Sequence, residues 1–236
     1  MNLPSEIVFI DIETVSAYPA LEKAPKQEQV FWKIKESQLN SRVQESTATY
    51  ERAGIYAEFG KIICVCCGVL QKEEDEVFLK INTFSSNNEK SLLEAFINYL
   101  SLFGDASILC AHNGKEFDYP YLCRRMLINH LAIPSTLKIA GKKPWELKHL
   151  DTLELWKFGD YKHYSSLDLL AKVFGVPSSK KELNGSMVNE YYYKKKDLKS
   201  IRNYCENDIV TLVCVYLNLI SKTEWLPKHI EVERSL

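Results

Sequence analysis

The amino-acid sequence predicts an α/β protein whose mixed five-stranded sheet is flanked by helices. Short apolar runs with the length of buried strands recur along the chain, and segments with helical periodicity separate them. Their order is strand, hairpin, helix, strand, helix, strand and helices, which favours helices on both faces of one sheet. The chain has 236 residues, of which 46% are hydrophobic, so it can bury a sizeable core in one large domain.

The first predicted strand, residues 7–10, is a continuous apolar run, as expected for a central strand covered on both faces. Residues 26–49 are polar, with Val30, Phe31 and Ile34 at helical spacing, and predict an inserted helix. We therefore expect a helical insertion or lid at about residues 21–55, within a single domain that spans residues 1–236.

The middle of the chain predicts two strands, at residues 61–70 and 76–84, joined by a charged hairpin connection. An amphipathic helix over residues 90–102 and a buried strand over residues 106–111 follow. The remaining predicted elements are a helix at 119–131, a short strand at 147–150, two helices that begin with capping boxes at 151–154 and 165–168, and a closing helix at 197–220. Gly175 and Pro177 predict the end of the second capped helix.

Charge and cysteine content limit the classes of protein that the chain can represent. The net charge is −1, so any contact with nucleic acid must come from a local site. The seven cysteines have no regular spacing, and Cys64, Cys66 and Cys67 fall within one predicted strand, which is typical of reduced core thiols rather than of disulfides or a zinc site. No stretch approaches the ~18 apolar residues of a membrane span, and no secretory signal is recognisable, so we expect a cytoplasmic protein.

Two acids end the first predicted strand. Strand alternation places Asp11 and Glu13 on the same face, with Ile12 opposite. Open α/β sheets place their sites at the carboxyl ends of central strands, so these carboxylates are candidate metal ligands. The alternative is a strand that simply runs into solvent.

Three further candidates come from later in the chain. Asp118 follows the predicted strand at 106–111 and precedes Pro120, so it is either a site residue, a helix cap, or both. Tyr204 and Asp208 are four residues apart and share a face of the closing helix with apolar side chains. An acid on such a face needs a partner, unless the helix has a wider polar face.

Convergence of these acids would require a cation. An unpaired buried carboxylate is costly, and two carboxylates repel each other by about 4 kcal/mol at ~4 Å and an effective dielectric of 20. A cluster of hard oxygen ligands suits Mg²⁺ or Mn²⁺.

The three acidic segments also occur together in a known pattern. Residues 9–14 (FIDIET), 112–118 (HNGKEFD) and 204–208 (YCEND) resemble, in order, the three motifs of the DEDDy branch of the DnaQ-like 3'-5' exonucleases. The chain is similar to stand-alone bacterial PolB-like exonucleases, which are related to the exonuclease domain of family B DNA polymerases. The resemblance implies a ribonuclease H-like fold, two divalent metal ions, and hydrolysis of phosphodiester bonds from the 3' end to nucleoside monophosphates.

The resemblance also implies roles for individual residues. Asp11, Glu13, Asp118 and Asp208 would hold the metals, and Tyr204 would orient or help deprotonate the attacking water. Because an ordinary tyrosine has a pKa near ~10, the metal would supply most of the activation. Contacts to the terminal nucleotide are implied for Thr14, Asn113 and Phe117, although Phe117 could also be a core residue.

Other residues are weaker candidates. Basic runs at 180–181 and 194–196 and the tyrosines at 191–193 could meet phosphates and bases, but such runs are more often solvated. We expect His112 to be structural, and the role of His163 stays open.

The motifs leave the substrate open. Single-stranded DNA is favoured, in repair or in proofreading in trans, with RNA trimming as the alternative within the same chemistry. A third possibility is a catalytically inactive module that binds nucleic acid or a polymerase, although such a module needs no acidic cluster.

Overall fold

The structure is a computed structural model and describes residues 6–42, 49–160, 164–177 and 183–235. Its strands are β1 (Ile7–Ser16), β2 (Gly60–Glu73), β3 (Glu76–Ser85), β4 (Ile108–Ala111), β5 (Leu150–Asp151) and β6 (His229–Arg234). They form one sheet in the order β5-β4-β1-β2-β3-β6, in which only the β1–β2 and β2–β3 pairs are antiparallel. The predicted mixed α/β sheet is therefore confirmed.

The sheet of the described residues has six strands, so the predicted number of five is wrong. The missed strand, β6, lies at the edge beside β3. Its apolar residues Ile230 and Val232 are 48% and 42% exposed. An edge strand of this kind lacks the continuous apolar run that marks a buried strand.

Helices cover both faces of the sheet. Within the described residues they are α1 (Lys26–Arg42), α2 (Glu89–Ser101), α3 (Asp118–Ile128), α4 (Thr152–Lys157), α5 (Leu167–Phe174), α6 (Val188–Glu190) and α7 (Leu198–Leu219). A π-helical turn, Tyr191–Lys195, follows α6, and short 3-10 turns include Tyr50–Ile55 and Gly185–Met187. None of these helices is both long and apolar enough to cross a membrane.

Most predicted helix ends agree with the structure, and one cap differs. Asp151 caps α4 by accepting from the Leu153 N–H at 2.9 Å. The second cap is Ser166 and not Ser165, because it is the Ser166 hydroxyl that accepts from the Leu169 N–H. Gly175 ends α5 with a positive φ of 67°, a conformation that glycine adopts without a steric penalty.

The inserted helix forms as α1, but its buried side is not the one that the spacing suggested. Val30, Phe31 and Ile34 are more than half exposed. Trp32 is instead fully buried, and its ring lies 5.3 Å from the Phe59 ring. The sequence predicts that the helix extends to residue 49. Residues 43–48 lie outside the described part of the chain.

Alternation along β1 separates the two halves of the core. Val8 and Ile10 face the cluster that includes residues of α2 and α3. Ile7 and Phe9 face α7, where they pack with Ile209 and its neighbours. By the same alternation, the next odd-numbered residues of β1 point toward α7.

The first strand is longer than predicted. It continues beyond the two acids to Ser16, because β2 pairs with it from Phe9 to Ser16. Its other neighbour, β4, pairs only with Ile7, Val8 and Phe9. Beyond Phe9, the β4 side of β1 is therefore open to other groups.

Candidate active site

A cleft of about 580 Å³ lies between β1, α7 and the turns at Tyr50–Ile55 and Gly185–Met187. Its lining includes Asp11, Glu13, Thr14, Phe117, Tyr204 and Asp208. The structure thus brings together side chains from all three acidic segments of the sequence.

Asp11 and Glu13 lie in β1, which continues past them to Ser16, and both point toward α7. Burial raises the pKa of Asp11, and the charges of Asp208 and Asp118 raise it further. Burial likewise raises the pKa of Glu13, with further contributions from Asp11 and Asp208. Asp11, Glu13, Asp118 and Asp208 therefore share one electrostatic environment, in which neighbouring charges make the first three harder to ionise.

Asp118 reaches the cluster from the first turn of α3. Its carboxylate accepts hydrogen bonds from its own N–H and from the N–H of Ile12, which β4 leaves open. Asp118 is only 5% exposed, and burial, with the charges of Asp151 and Asp208, raises its pKa to about 7. It does not occupy the N-cap position, which belongs to Phe117 and has no side-chain cap, so the helix-cap interpretation is wrong.

Tyr204 and Asp208 lie one turn apart on the buried face of α7, as their spacing predicted. The Tyr204 hydroxyl is hydrogen-bonded to the Asp208 carboxylate. Burial and the neighbouring charges of Asp208 and Glu13 raise the pKa of Tyr204 far above its usual value. The raised pKa favours the protonated hydroxyl, which donates its hydrogen bond to Asp208.

The expected substrate contacts are divided between two cavities. Thr14 and Phe117 line the cleft, and the Phe117 ring also packs 5.3 Å from the Tyr121 ring. Asn113 lines a neighbouring cavity of about 350 Å³ instead. Its backbone adopts a positive φ of 62°, and its N–H donates to Asp151 Oδ1 at 2.9 Å.

A cluster of thiols beneath the acids was not foreseen. Cys66 and Cys64 of β2 stand opposite Asp11 and Glu13 in the strand register, and Cys205 of α7 closes the group. The Cys64 and Cys66 sulfurs are 3.9 Å apart, and the Cys205 thiol donates to Asp11 Oδ2 at 3.2 Å. The spacing of Cys64 and Cys66 predicts that they share a strand face. The sequence does not show the register that places them opposite Asp11 and Glu13.

The far wall of the cleft fixes the end of β1. The Asn189 side chain accepts from the Ser16 N–H at 3.0 Å, and the Tyr193 hydroxyl donates to the Ser16 carbonyl at 2.6 Å. Tyr192 accepts a hydrogen bond from Lys61 at 3.2 Å. These tyrosines are therefore engaged with the protein itself.

The structure describes only some of the basic residues and histidines that were weaker candidates in the sequence. Lys194 and Lys195 lie within 4 Å of Glu51 and Glu190, respectively. Lys180, Lys181 and His163 lie outside the described residues. His112 is structural, as expected: its two ring nitrogens are hydrogen-bonded to the Thr152 hydroxyl and to the Ser165 carbonyl.

The donor set of the cleft fits a divalent cation. Ligand atoms of Asp11, Glu13 and Cys205 lie within 4.8 Å of one another. Asp11, Glu13 and Asp208 contribute hard oxygen donors to the cleft, and Arg52 is the one cationic side chain among the described residues that line it. A bound cation would relieve the mutual repulsion that raises the pKa values of the acids.

Comparison with known proteins matches the chain to a sequence family and to solved structures. The sequence model of a family described as "Predicted 3'-5' exonuclease related to the exonuclease domain of PolB" matches residues 55–232, which contain the second and third acidic segments. The family B DNA polymerase from the hyperthermophilic archaeon Pyrobaculum calidifontis is similar in structure, with a TM-score of 0.54 and 15% sequence identity. The match covers 91% of this chain and 24% of the polymerase chain. No curated protein sequence matches the chain.

The structural likeness shows the fold, which is the ribonuclease H-like α/β fold of polymerase exonuclease domains. The chain spans about a quarter of the polymerase that it matches.

Proposed function

The chain belongs to the family of predicted 3'-5' exonucleases related to the exonuclease domain of PolB, and on this premise we propose that it hydrolyses single-stranded DNA from the 3' end to nucleoside monophosphates. The observation that supports this proposal is a cleft lined by Asp11, Glu13, Asp208 and Tyr204, with Asp118 close enough for its charge to act on Asp11 and Glu13. Buried carboxylates whose neighbours raise their pKa values, as at Asp11, Glu13 and Asp118, destabilise a fold and are typical of functional sites.

We propose that two divalent ions, Mg²⁺ or Mn²⁺, are the cofactors. The Asp11 carboxylate interacts electrostatically with those of Glu13, Asp118 and Asp208. We therefore propose that Asp11 contacts both ions. Glu13 and Asp208 would hold one ion, and Asp118 the other, directly or through water. When bound, the ions would neutralise charge on the scissile phosphate and lower the pKa of the attacking water.

The remaining side chains would orient the substrate and the water. Tyr204 keeps its proton and donates to Asp208, so we assign it an orienting role rather than that of a base. Thr14 and Phe117 line the cleft and would contact the sugar and base of the terminal nucleotide. Asn113 does not line the cleft, and its positive φ suits a role in shaping the turn that leads to Asp118.

The biological setting that we propose is DNA repair or proofreading in trans. A cytoplasmic location fits the seven cysteines, all of which are free thiols. Trimming of RNA would use the same cleft and metals, and it is the second candidate substrate. An inactive binding module is disfavoured by the complete set of Asp11, Glu13, Asp118, Tyr204 and Asp208.

The test uses 5'-labelled oligonucleotides of one sequence, as DNA and as RNA, with either a free or a blocked 3' hydroxyl. Each is incubated with Mg²⁺ or Mn²⁺, and with chelator as the control. We expect a ladder that shortens from the free 3' end of DNA and disappears with chelator or with the blocked end. Internal cuts in the blocked substrate would contradict exonuclease action, and faster trimming of RNA would reassign the substrate.

Asp208→Asn is the matched control for contaminating nucleases. This change keeps the size of the side chain but removes a charge from the proposed metal site. Cleavage at the wild-type rate by the purified Asp208→Asn protein would show that the activity does not come from this cleft.

A further inference from the structure

A second cavity, separate from the acidic cleft, lies between α3 and the segment that follows it. This groove has a volume of about 510 Å³. On the α3 side it is lined by Pro120, Cys123, Arg124 and Leu127, whose spacing places them on one face of the helix. It shares no lining residue with the acidic cleft among the described residues.

The groove is strongly basic in a chain whose net charge is only −1. Lys115, Arg124, Lys138 and Lys142 line it, and none of the described lining residues is acidic. Lys115 is already bound to Glu154, with 2.7 Å between Nζ and Oε2. The other three are exposed, and none of them forms an ion pair within the described part of the chain.

The floor of the groove is aliphatic. Leu127 is 60% exposed at its edge, and Ile133, Ile139 and Leu147 are partly buried along it. The Cys123 thiol donates to the Leu137 carbonyl at 3.3 Å, which ties the following segment to α3. A concave aliphatic surface with a charged rim is typical of a site for a ligand that is both apolar and oppositely charged.

The chemistry of the lining distinguishes between two classes of anionic partner. Single-stranded nucleic acid binds on aromatic side chains that stack with its bases, in addition to basic residues. The described lining of the groove contains no aromatic residue. Aliphatic side chains flanked by carboxylates match both the floor and the rim, and they are found together in acidic peptides.

We propose that this groove is a docking site for an acidic peptide segment of another protein, bound by aliphatic side chains on the floor and by carboxylates at Arg124, Lys138 and Lys142. The proposal does not depend on the nuclease function, because the groove and the cleft have separate linings. Docking here would leave the acidic cleft open to substrate.

The test is a direct binding measurement with a defined probe. A fluorescein-labelled peptide of about eight alternating aspartate and leucine residues is titrated with the full-length protein, and fluorescence anisotropy is recorded. Its controls are a peptide in which lysine replaces aspartate and one in which glycine replaces leucine. We expect saturable binding of the first peptide only, and that this binding weakens as salt is added.

Amino-acid substitutions test whether the peptide binds in the groove. Lys138→Glu combined with Lys142→Glu should weaken binding at least about tenfold, since rim charges contribute through complementarity. Leu127→Asp should weaken it by a similar factor, because it removes apolar contact from the floor. Lys90→Glu, an exposed lysine of α2 outside the groove, is the matched control and should leave binding unchanged. Circular dichroism and thermal unfolding verify that each variant is folded.

Two outcomes would overturn the proposal. One is the absence of saturable binding below ~1 mM of protein. The other is that the groove variants weaken the binding of a single-stranded oligonucleotide and not that of the peptide, which would make the groove part of the nucleic-acid path.

Discussion

Replacing Asp118 by Asn should stabilise the metal-free protein at alkaline pH. Asn has the same shape, and its carbonyl oxygen can still accept the N–H of Ile12, but it carries no charge to repel Asp208 and Asp151. In the wild type, burial and these neighbours raise the pKa of Asp118 from the ordinary 3.8 to about 7. Because one pH unit is worth about 1.36 kcal/mol, keeping this carboxylate ionised above pH 7 costs up to about 4 kcal/mol.

The sign of the pH dependence follows from linkage. Between pH 3.8 and 7 the folded wild type holds a proton on Asp118 that the unfolded chain has lost, so its stability falls as pH rises. The advantage of the variant should therefore be about 4 kcal/mol at pH 8 and shrink to about 1.6 kcal/mol at pH 5. For a chain of this length, the difference at pH 8 corresponds to a rise in Tm of about 10 °C.

Thermal unfolding of chelator-treated protein at pH 5 and pH 8 measures the effect. Asp75→Asn, a change at a fully exposed side chain, is the control and should alter Tm little at either pH. Millimolar Mn²⁺ should narrow the gap, because an ion at one hundred times its Kd stabilises the wild type by about 2.7 kcal/mol. Equal Tm values for wild type and Asp118→Asn at pH 8 would refute the raised pKa of Asp118 and the burial of its charge.

Three other outcomes are expected. Asp11→Ala and Asp208→Ala should each abolish cleavage and keep cooperative unfolding; a folded variant with wild-type turnover would remove that residue from the site. Tyr204→Phe should lower kcat by about 100-fold with little change in Tm, as expected when a group that positions a proton is lost. Turnover within a factor of two of wild type would show that Tyr204 contributes only to packing. Arg234→Ala should lower the free energy of unfolding by about 1–2 kcal/mol, because the half-exposed guanidinium makes two hydrogen bonds to the buried Glu206 at 2.9 and 3.0 Å. Urea denaturation measures this effect, and an unchanged midpoint would contradict it.

The sequence predicted those parts of the site that depend on local periodicity. Tyr204 and Asp208 share a helix face, and Asp11 and Glu13 share a strand face, because 3.6 and 2 are fixed repeats of the backbone. It could not predict that β1 continues beyond its acids to Ser16, since that length is determined by pairing with β2.

Other features depend on contacts between distant segments. The Ile12 N–H is available to Asp118 only because β4 stops pairing at Phe9. The burial of Trp32 in place of Val30 and Phe31 likewise reflects which aromatic rings of the turn after α1 lie beside it. Neither contact leaves a periodic trace in the sequence.

The distance in sequence between β1 and α7 has a consequence for synthesis of the protein. Ile7 and Phe9 are covered by residues near position 210, so the α7 face of β1 stays uncovered until about 200 further residues have been synthesised. An uncovered apolar strand is prone to pair with other nascent chains. Asp11 and Glu13 lie next to that apolar run, and charged residues in such positions oppose aggregation. The same two carboxylates that strain the finished fold are therefore expected to protect it while it is incomplete.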